Sequence, residues 1–193
     1  MSQRRLILGF LLFVALSGFV PSVEAGDLPP RNAALLILRA LAYDRKLKAR
    51  VGSEVRVLVV YQSGNQPSET TKSDLVGALQ DAARETTVSG LPVRVASLAY
   101  SDAGGLEAAL KSDHTAAVYV CLGVTSHANN IAEVTRRRSA LTFTGDEESV
   151  KSGLSVGLIT RGTKPTVLVN LPASKAEGAD LDPALLRVAE VIR

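Results

Sequence analysis

The stretch AAVYVCLG, residues 116–123, decides the fold of this chain. Every residue from Ala116 to Leu122 is hydrophobic, and Gly123 ends the run. A run this short and this apolar is typical of a strand that is covered on both faces, as in a parallel sheet. A second Val-rich run, EVRVLVVY at 54–61, lies between Gly52 and a polar turn cluster and predicts another buried strand.

Helical patterns alternate with these strands along the chain. The predicted order is helix (32–50), strand (54–61), helix (70–86), strand (91–99), helix (101–111), strand (116–123), helix (127–138) and strand (139–145). Strands that alternate with helices of this length indicate βαβ units, whose parallel sheet carries helices on both faces.

The C-terminal part departs from this alternation. LSVGLIT (154–160) and PTVLVNL (165–171) are separated only by RGTK, which is too short for a crossover connection. The two strands must therefore form an antiparallel hairpin. The fold class predicted is α/β: a single three-layer α/β/α sandwich with a mostly parallel sheet and a C-terminal antiparallel hairpin.

Two further helices are predicted after the hairpin. Pro172 suits the first turn of a short helix, which Gly178 ends, and Asp182 with Pro183 at the first helical position then opens a final helix. We expect the apolar stripe of that last helix to pack on the sheet; its members are Leu185, Leu186, Ala189 and Ile192.

The first 25 residues have the pattern of a secretory signal peptide. Arg4 and Arg5 precede the apolar core LILGFLLFVALSGFV, and Val23-Glu24-Ala25 supplies small residues at the cleavage positions. The core is shorter than the roughly 20 residues that an uncleaved membrane anchor, the alternative interpretation, would need. We predict cleavage after Ala25, a linker over 26–31 and one domain over 32–193, exported to the periplasm of a double-membrane envelope.

Charge and cysteine content argue against a nucleic-acid partner and exclude an intramolecular disulfide bond. The formal net charge is only +3, and an alkaline pI of about 9.2 does not by itself indicate nucleic-acid binding, so no nucleic-acid partner is predicted. Cys121 is the only cysteine, which excludes an intramolecular disulfide. Because it lies inside an apolar run, we expect a buried, unreactive thiol.

The usual signatures of catalysis are missing from the sequence. No G-x-G-x-x-G motif, P-loop lysine or G-x-S-x-G motif is present. His114 and His127 lack acidic neighbours at metal-ligand spacing, and the acidic run 146–148 is typical of a turn or a helix start. We therefore predict no catalytic residues, no cofactor and no metal, and a protein that is not an enzyme.

One edge of the predicted sheet has the general geometry of a binding site. In a doubly wound sheet, ligands bind beyond the carboxyl ends of the strands where the strand order reverses. With the order 2-1-3-4, the loops after the first and third strands flank that crevice, and both are polar, although polarity is also what solvent exposure alone would produce. The candidate residues for a ligand or partner crevice are Gln62, Ser63, Asn65, Thr125, Ser126, His127 and Asn129.

Three consecutive arginines form a second candidate surface. Arg136, Arg137 and Arg138 end a predicted helix, where cations complement the negative end of the helix dipole. The alternative interpretation is a basic patch that contacts an acidic partner.

From about Ala116 onward the chain resembles the YfiR/HmsC family of secreted proteins. The segments that carry the resemblance are AAVYVCLG, SALTFTGDEESVKSGLSVGLI (139–159) and VLVNLPASKAEGADLDPALLRVAEVI (167–192). The resemblance implies a periplasmic regulator that restrains a membrane-bound diguanylate cyclase or related sensor by binding its periplasmic portion. A possible small ligand and a possible homodimer stay open, and the alternative function is a single-lobe periplasmic small-molecule binding protein of transport type.

Overall fold

Seven strands form one sheet in the computed structural model, which describes residues 28–111 and 114–193. The predicted signal peptide, residues 1–25, lies outside the described residues. The strands are β1 (Val55–Tyr61), β2 (Val93–Ala99), β3 (Thr115–Val120), β4 (Leu141–Thr144), β5 (Val156–Arg161), β6 (Lys164–Asn170) and β7 (Glu190–Ile192).

Eight α-helices of the described residues connect or cover these strands. They are α1 (Pro30–Ala42), α2 (Leu47–Arg50), α3 (Gln66–Glu85), α4 (Ala103–Lys111), α5 (Ala128–Arg138), α6 (Glu147–Lys151), α7 (Leu171–Ala176) and α8 (Pro183–Leu186). Helix α6 was predicted only as a turn or helix start; the Asp146 carboxylate caps it by accepting from the Ser149 N–H at 2.9 Å.

The strand order is β2-β1-β3-β4-β5-β6-β7. Strands β1 to β5 pair in parallel with their neighbours, β5 and β6 pair antiparallel, and β6 and β7 pair in parallel. The predicted fold class is confirmed, including the C-terminal hairpin, and the order 2-1-3-4 that the crevice reasoning assumed is the order observed.

The two faces of the sheet carry separate cores. On one face, residues of α1 and α3 such as Ile37 and Leu79 pack with Phe143 in the largest buried cluster. On the other face, α4 and α5 contribute Leu106 and Ile131 to a second cluster. Every residue of β3 is buried, which confirms that this apolar run forms a strand covered on both faces.

The single helix predicted over 32–50 is wrong: α1 and α2 are separated by a turn at 43–46. Asp44 forms a β-bridge with Leu181, and the Asp182 N–H donates to the Tyr43 carbonyl at 2.8 Å. The buried Asp44 carboxylate accepts from the N–H of Lys46 at 3.0 Å and pairs with Arg50. These partners take the place of the i to i+4 bonds that would have continued the helix.

The prediction that the final helix continues from Pro183 to Ile192 is also wrong, because α8 ends after one turn. Asp182 caps α8 as predicted, by accepting from the Ala184 N–H at 2.7 Å, but the chain then turns and forms β7. Val191 pairs with Val169, so β7 covers the last three residues of β6, whose edge would otherwise be open there. Leu185, a member of the predicted apolar stripe, is buried in the core. Val188, which was not part of that stripe, is 80% exposed.

Candidate functional site

The loops after β1 and β3 are neighbours, as the order of the strands requires. A Cβ placed on Gly123 would lie 3.2 Å from the Gln62 side-chain oxygen and 3.0 Å from the Ser68 Cβ. The Ser68 hydroxyl accepts from the Gln62 N–H at 3.0 Å. Gly123 has a φ of +33°, so glycine permits both the turn and this close approach.

Several of the predicted crevice residues have structural roles at this junction. Asn65 caps α3, with its side chain accepting from the Ser68 N–H at 3.0 Å. Residues Thr125–His127 form a short 3-10 turn, and the His127 ring lies 5.0 Å from the ring of Tyr100. Gln62, Ser63, Ser126 and Asn129 are exposed. The structure thus brings the two loops together without testing their function, which stays a prediction.

A cavity of about 430 Å³ opens beside this junction, at the carboxyl ends of β3, β4 and β5. Its volume is within the range of small-molecule sites. The residues that line it are Leu28, Pro30, Ala33, Thr70, Thr71, Asp74, Leu75, Tyr119, Leu122, Gly145, Glu147, Leu158, Ile159 and Thr160. None of the seven predicted crevice residues is among them.

The cavity has apolar walls and two carboxylates. Glu147 lies at the start of α6, where hydrogen bonds from Arg161 and then from Lys151 lower its pKa to about 2. Glu147 is therefore paired with two cations, each of which also pairs with a second carboxylate. Asp74 is exposed on α3 and forms no ion pair among the residues that the structure describes.

A second, more open groove of about 700 Å³ runs between α1 and α3 and shares Pro30 and Asp74 with the cavity. Leu35, which is 40% exposed, lies on its wall. Asp74 thus lies where the two concave surfaces meet.

The sequence reasoning missed the cavity because its lining comes from distant segments. Leu158 and Ile159 are hairpin residues, and Leu75 belongs to the core face of α3. Leu122 is the exception: it ends the decisive apolar run and yet is 41% exposed. An apolar residue at the carboxyl end of a buried strand is the signal that could have pointed here.

The arginine triplet at the end of α5 makes contacts within the chain. Arg137 donates to the Glu107 carboxylate on α4 at 2.7 Å, and Arg138 pairs with the same carboxylate. Arg136 donates to the Gly153 carbonyl at 3.2 Å. One carboxylate therefore faces two guanidinium groups, which leaves an excess of positive charge on this face. The partner surface predicted at these arginines stays a prediction.

A carboxyl group also lies inside the protein, between α5, β4, β5 and the end of α7. Glu177 is 0% exposed. It contacts the hydroxyls of Thr135 at 2.7 Å, Thr142 at 3.0 Å and Ser155, and accepts from the Thr142 N–H at 2.8 Å. Burial raises its pKa to about 7, although these hydrogen bonds act in the opposite direction.

The described residues supply little for other chemistries. They contain no group of three His, Cys, Asp or Glu side chains that could hold a metal ion. Cys121 is buried, and burial raises the pKa of its thiol to about 12. No helix within residues 28–111 and 114–193 is both long and apolar enough to cross a membrane.

Solved structures with this fold include ligand-binding proteins. The ABC domain in complex with L-Trp from Streptococcus pneumonia is 14% identical, with a TM-score of 0.61; the match covers 85% of this chain and 60% of that one. A conserved domain protein from Vibrio cholerae is 14% identical, with a TM-score of 0.59 and coverages of 86% and 60%.

A substrate-binding protein with adhesive properties from Clostridium difficile, in a ligand-free, open structure, is 13% identical, with a TM-score of 0.54 and coverages of 77% and 57%. At these identities the likeness concerns the fold alone, and the chain spans about 60% of the length of these proteins. No curated protein sequence matches the chain. A family model described as YfiR/HmsC-like matches residues 44–190.

Proposed function

The chain belongs to the YfiR/HmsC-like family, and on this premise we propose that it is a periplasmic, non-enzymatic regulator that binds and restrains a membrane-bound signalling protein. The observation that carries the proposal is the family match over residues 44–190, which includes six of the strands whole and the first residue of the seventh. By resemblance to the family, the restrained protein is a diguanylate cyclase. Export to the periplasm rests on the same membership and on the signal peptide predicted over residues 1–25.

The C-terminal end of α5, where Arg136, Arg137 and Arg138 lie, is the partner surface that we propose. Arg137 keeps 56% of its side chain exposed while it contacts Glu107. Arg136 contacts only a backbone carbonyl among the described residues, so its charge is not balanced there. An excess of positive charge on an exposed helix favours an acidic surface on the partner and increases the rate of association with it.

In-cell photo-crosslinking tests this function. A crosslinking residue at Arg137 of the exported protein should recover an inner-membrane protein with a periplasmic portion, whereas the same residue at Arg84, an exposed arginine near the C-terminal end of α3 on the other face of the sheet, serves as the matched control. A second site at Leu122 reports on the cavity side of the molecule. Capture of a cyclase at Arg137 but not at Arg84 supports both the function and the surface. Recovery of no membrane signalling protein from Arg137 and Leu122 would refute the function.

A second candidate function is binding of a small molecule, and one observation favours it specifically. The cavity of about 430 Å³ lies at the carboxyl edge of a doubly wound sheet, where ligands of such folds bind. The fold is shared with an L-Trp complex and with a substrate-binding protein, each of which is longer than this chain. A thermal-shift screen with a metabolite panel tests it, because a ligand at 100 times its Kd adds about 2.7 kcal/mol to the free energy of unfolding.

A further inference from the structure

We propose that the cavity at the carboxyl ends of β3, β4 and β5 binds an organic cation: a small molecule with an apolar body and one ammonium group. This inference deepens the second candidate function and rests on it. The expected charge of the ligand follows from the two carboxylates that line the cavity and from the lack of lysine and arginine among its described lining residues.

The apolar body fits the walls of the cavity. Leu158 and Ile159 of the sheet and Leu75 of α3 are buried and line the cavity with hydrocarbon, and Leu122, which is 41% exposed, lines it as well. A volume of about 430 Å³ accommodates a ring with a short chain. Burial of such a body supplies affinity without charge.

The ammonium group fits Asp74. Both charged residues that line the cavity are acidic, and no lysine or arginine is among the described residues of its lining. Glu147 is already paired with Arg161 and Lys151, which also pair with Glu190 and Glu148. Asp74 has no ion pair among the described residues, which leaves it as the lining carboxylate that can pair with a ligand.

A ligand carboxylate finds no comparable partner in the lining. Helix α1 begins beside the cavity, and helix N-termini favour anions through their free N–H groups. Of the first turn of α1, however, only Pro30 and Ala33 line the cavity. Pro30 has no N–H, and the N–H of Ala33 makes the first intrahelical bond, to the Pro29 carbonyl at 3.0 Å. The lining thus selects an amine over the matching acid and over a zwitterion with the same body.

Calorimetric titration with matched pairs tests the proposal. The probes are 2-phenylethylamine against 3-phenylpropionate, and 4-phenylbutylamine against 5-phenylvalerate, with phenylalanine as the zwitterion. We expect each amine to bind at least tenfold more tightly than its acid, and phenylalanine to bind more weakly than 2-phenylethylamine. Asp74→Asn should weaken amine binding about fivefold, the size of a partly exposed ion pair.

Two variants make the result decisive. Asp74→Lys, on an exposed face of α3 where folding is undisturbed, should reverse the preference toward the acids. Glu133→Gln removes an exposed carboxylate on α5 away from the cavity and should leave every affinity unchanged. Equal binding of amines and acids, no reversal in Asp74→Lys, or no binding by either amine would overturn the proposal. A negative result in this titration leaves the crosslinking test and the metabolite screen unaffected, so it can be told apart from failure of either proposed function.

Discussion

Replacing Glu177 with glutamine should remove a defined part of the pH dependence of stability. The pKa of the buried carboxyl is about 7 in the folded protein, against 4.5 for an ordinary glutamate. Between these values the folded state holds a proton that the unfolded state has lost. The contribution of Glu177 to the free energy of unfolding is therefore fully present below pH 4.5 and is lost as the pH rises through 7.

The magnitude follows from the difference of 2.5 between the two pKa values, at about 1.4 kcal/mol for each unit. The full loss is about 3 kcal/mol, of which about 2 to 3 kcal/mol falls between pH 5 and pH 8. Glutamine keeps the shape and stays neutral: its oxygen can accept from the Thr142 N–H, and its amide can donate to the Thr135 hydroxyl, whose own proton reaches the Ile131 carbonyl at 3.1 Å.

Urea unfolding of both proteins from pH 5 to pH 8.5 measures this effect. The histidines and all other titrating groups are shared, so they cancel in the difference between Glu177→Gln and the parent protein. The advantage of the variant should grow by about 2 to 3 kcal/mol over that range. A difference that stays constant with pH, or that grows toward acid, would refute the reasoning that burial dominates over the four hydrogen bonds.

Three other perturbations have expected results. Asp44→Ala should lower the free energy of unfolding by about 3–5 kcal/mol in urea titrations, because it leaves the charge of Arg50 buried without a carboxylate partner. Gly157→Ala should cost about 1–3 kcal/mol, since its Cβ would lie 3.0 Å from a Val150 methyl group. Cys121 should resist iodoacetamide at pH 8 in the folded protein and react after unfolding, because its thiol is buried with a pKa of about 12.

Each of these has an outcome that contradicts it. A cost below about 1 kcal/mol for Asp44→Ala would mean that the pair behaves like an exposed one. Unchanged stability in Gly157→Ala would mean that β5 and α6 move apart freely. Alkylation of native Cys121 at the rate of the unfolded chain would place the thiol at the surface.

Local sequence pattern was sufficient for most of the sheet. The runs at 55–61 and 115–120 are short and almost wholly apolar, and they form strands. Such runs are typical of strands with both faces covered, because alternate side chains then point into two separate cores. The RGTK linker required an antiparallel pair, since four residues cannot cross over a sheet. Pro172 and Gly178 marked the start and the end of α7 for reasons that are local to the backbone.

The two wrong secondary-structure predictions concern places where distant segments of the chain meet. The break between α1 and α2 depends on a bridge from Asp44 to Leu181, 137 residues further on. The strand at 190–192 exists because β6 offers an unpaired edge, which no local pattern of α8 reveals. In both cases tertiary hydrogen bonds outweigh a helical preference of a few tenths of a kcal/mol per residue.

The sequence by itself determined the fold class, the C-terminal hairpin and the family resemblance, because periodicity, run length and turn residues act over a few neighbours along the chain. Only the tertiary structure decided the surroundings of Asp74 and Glu177. A cavity, an unbalanced charge and a carboxyl held neutral by burial depend on which remote side chains share a space, and that arrangement arises only when the sheet and its two layers of helices pack together.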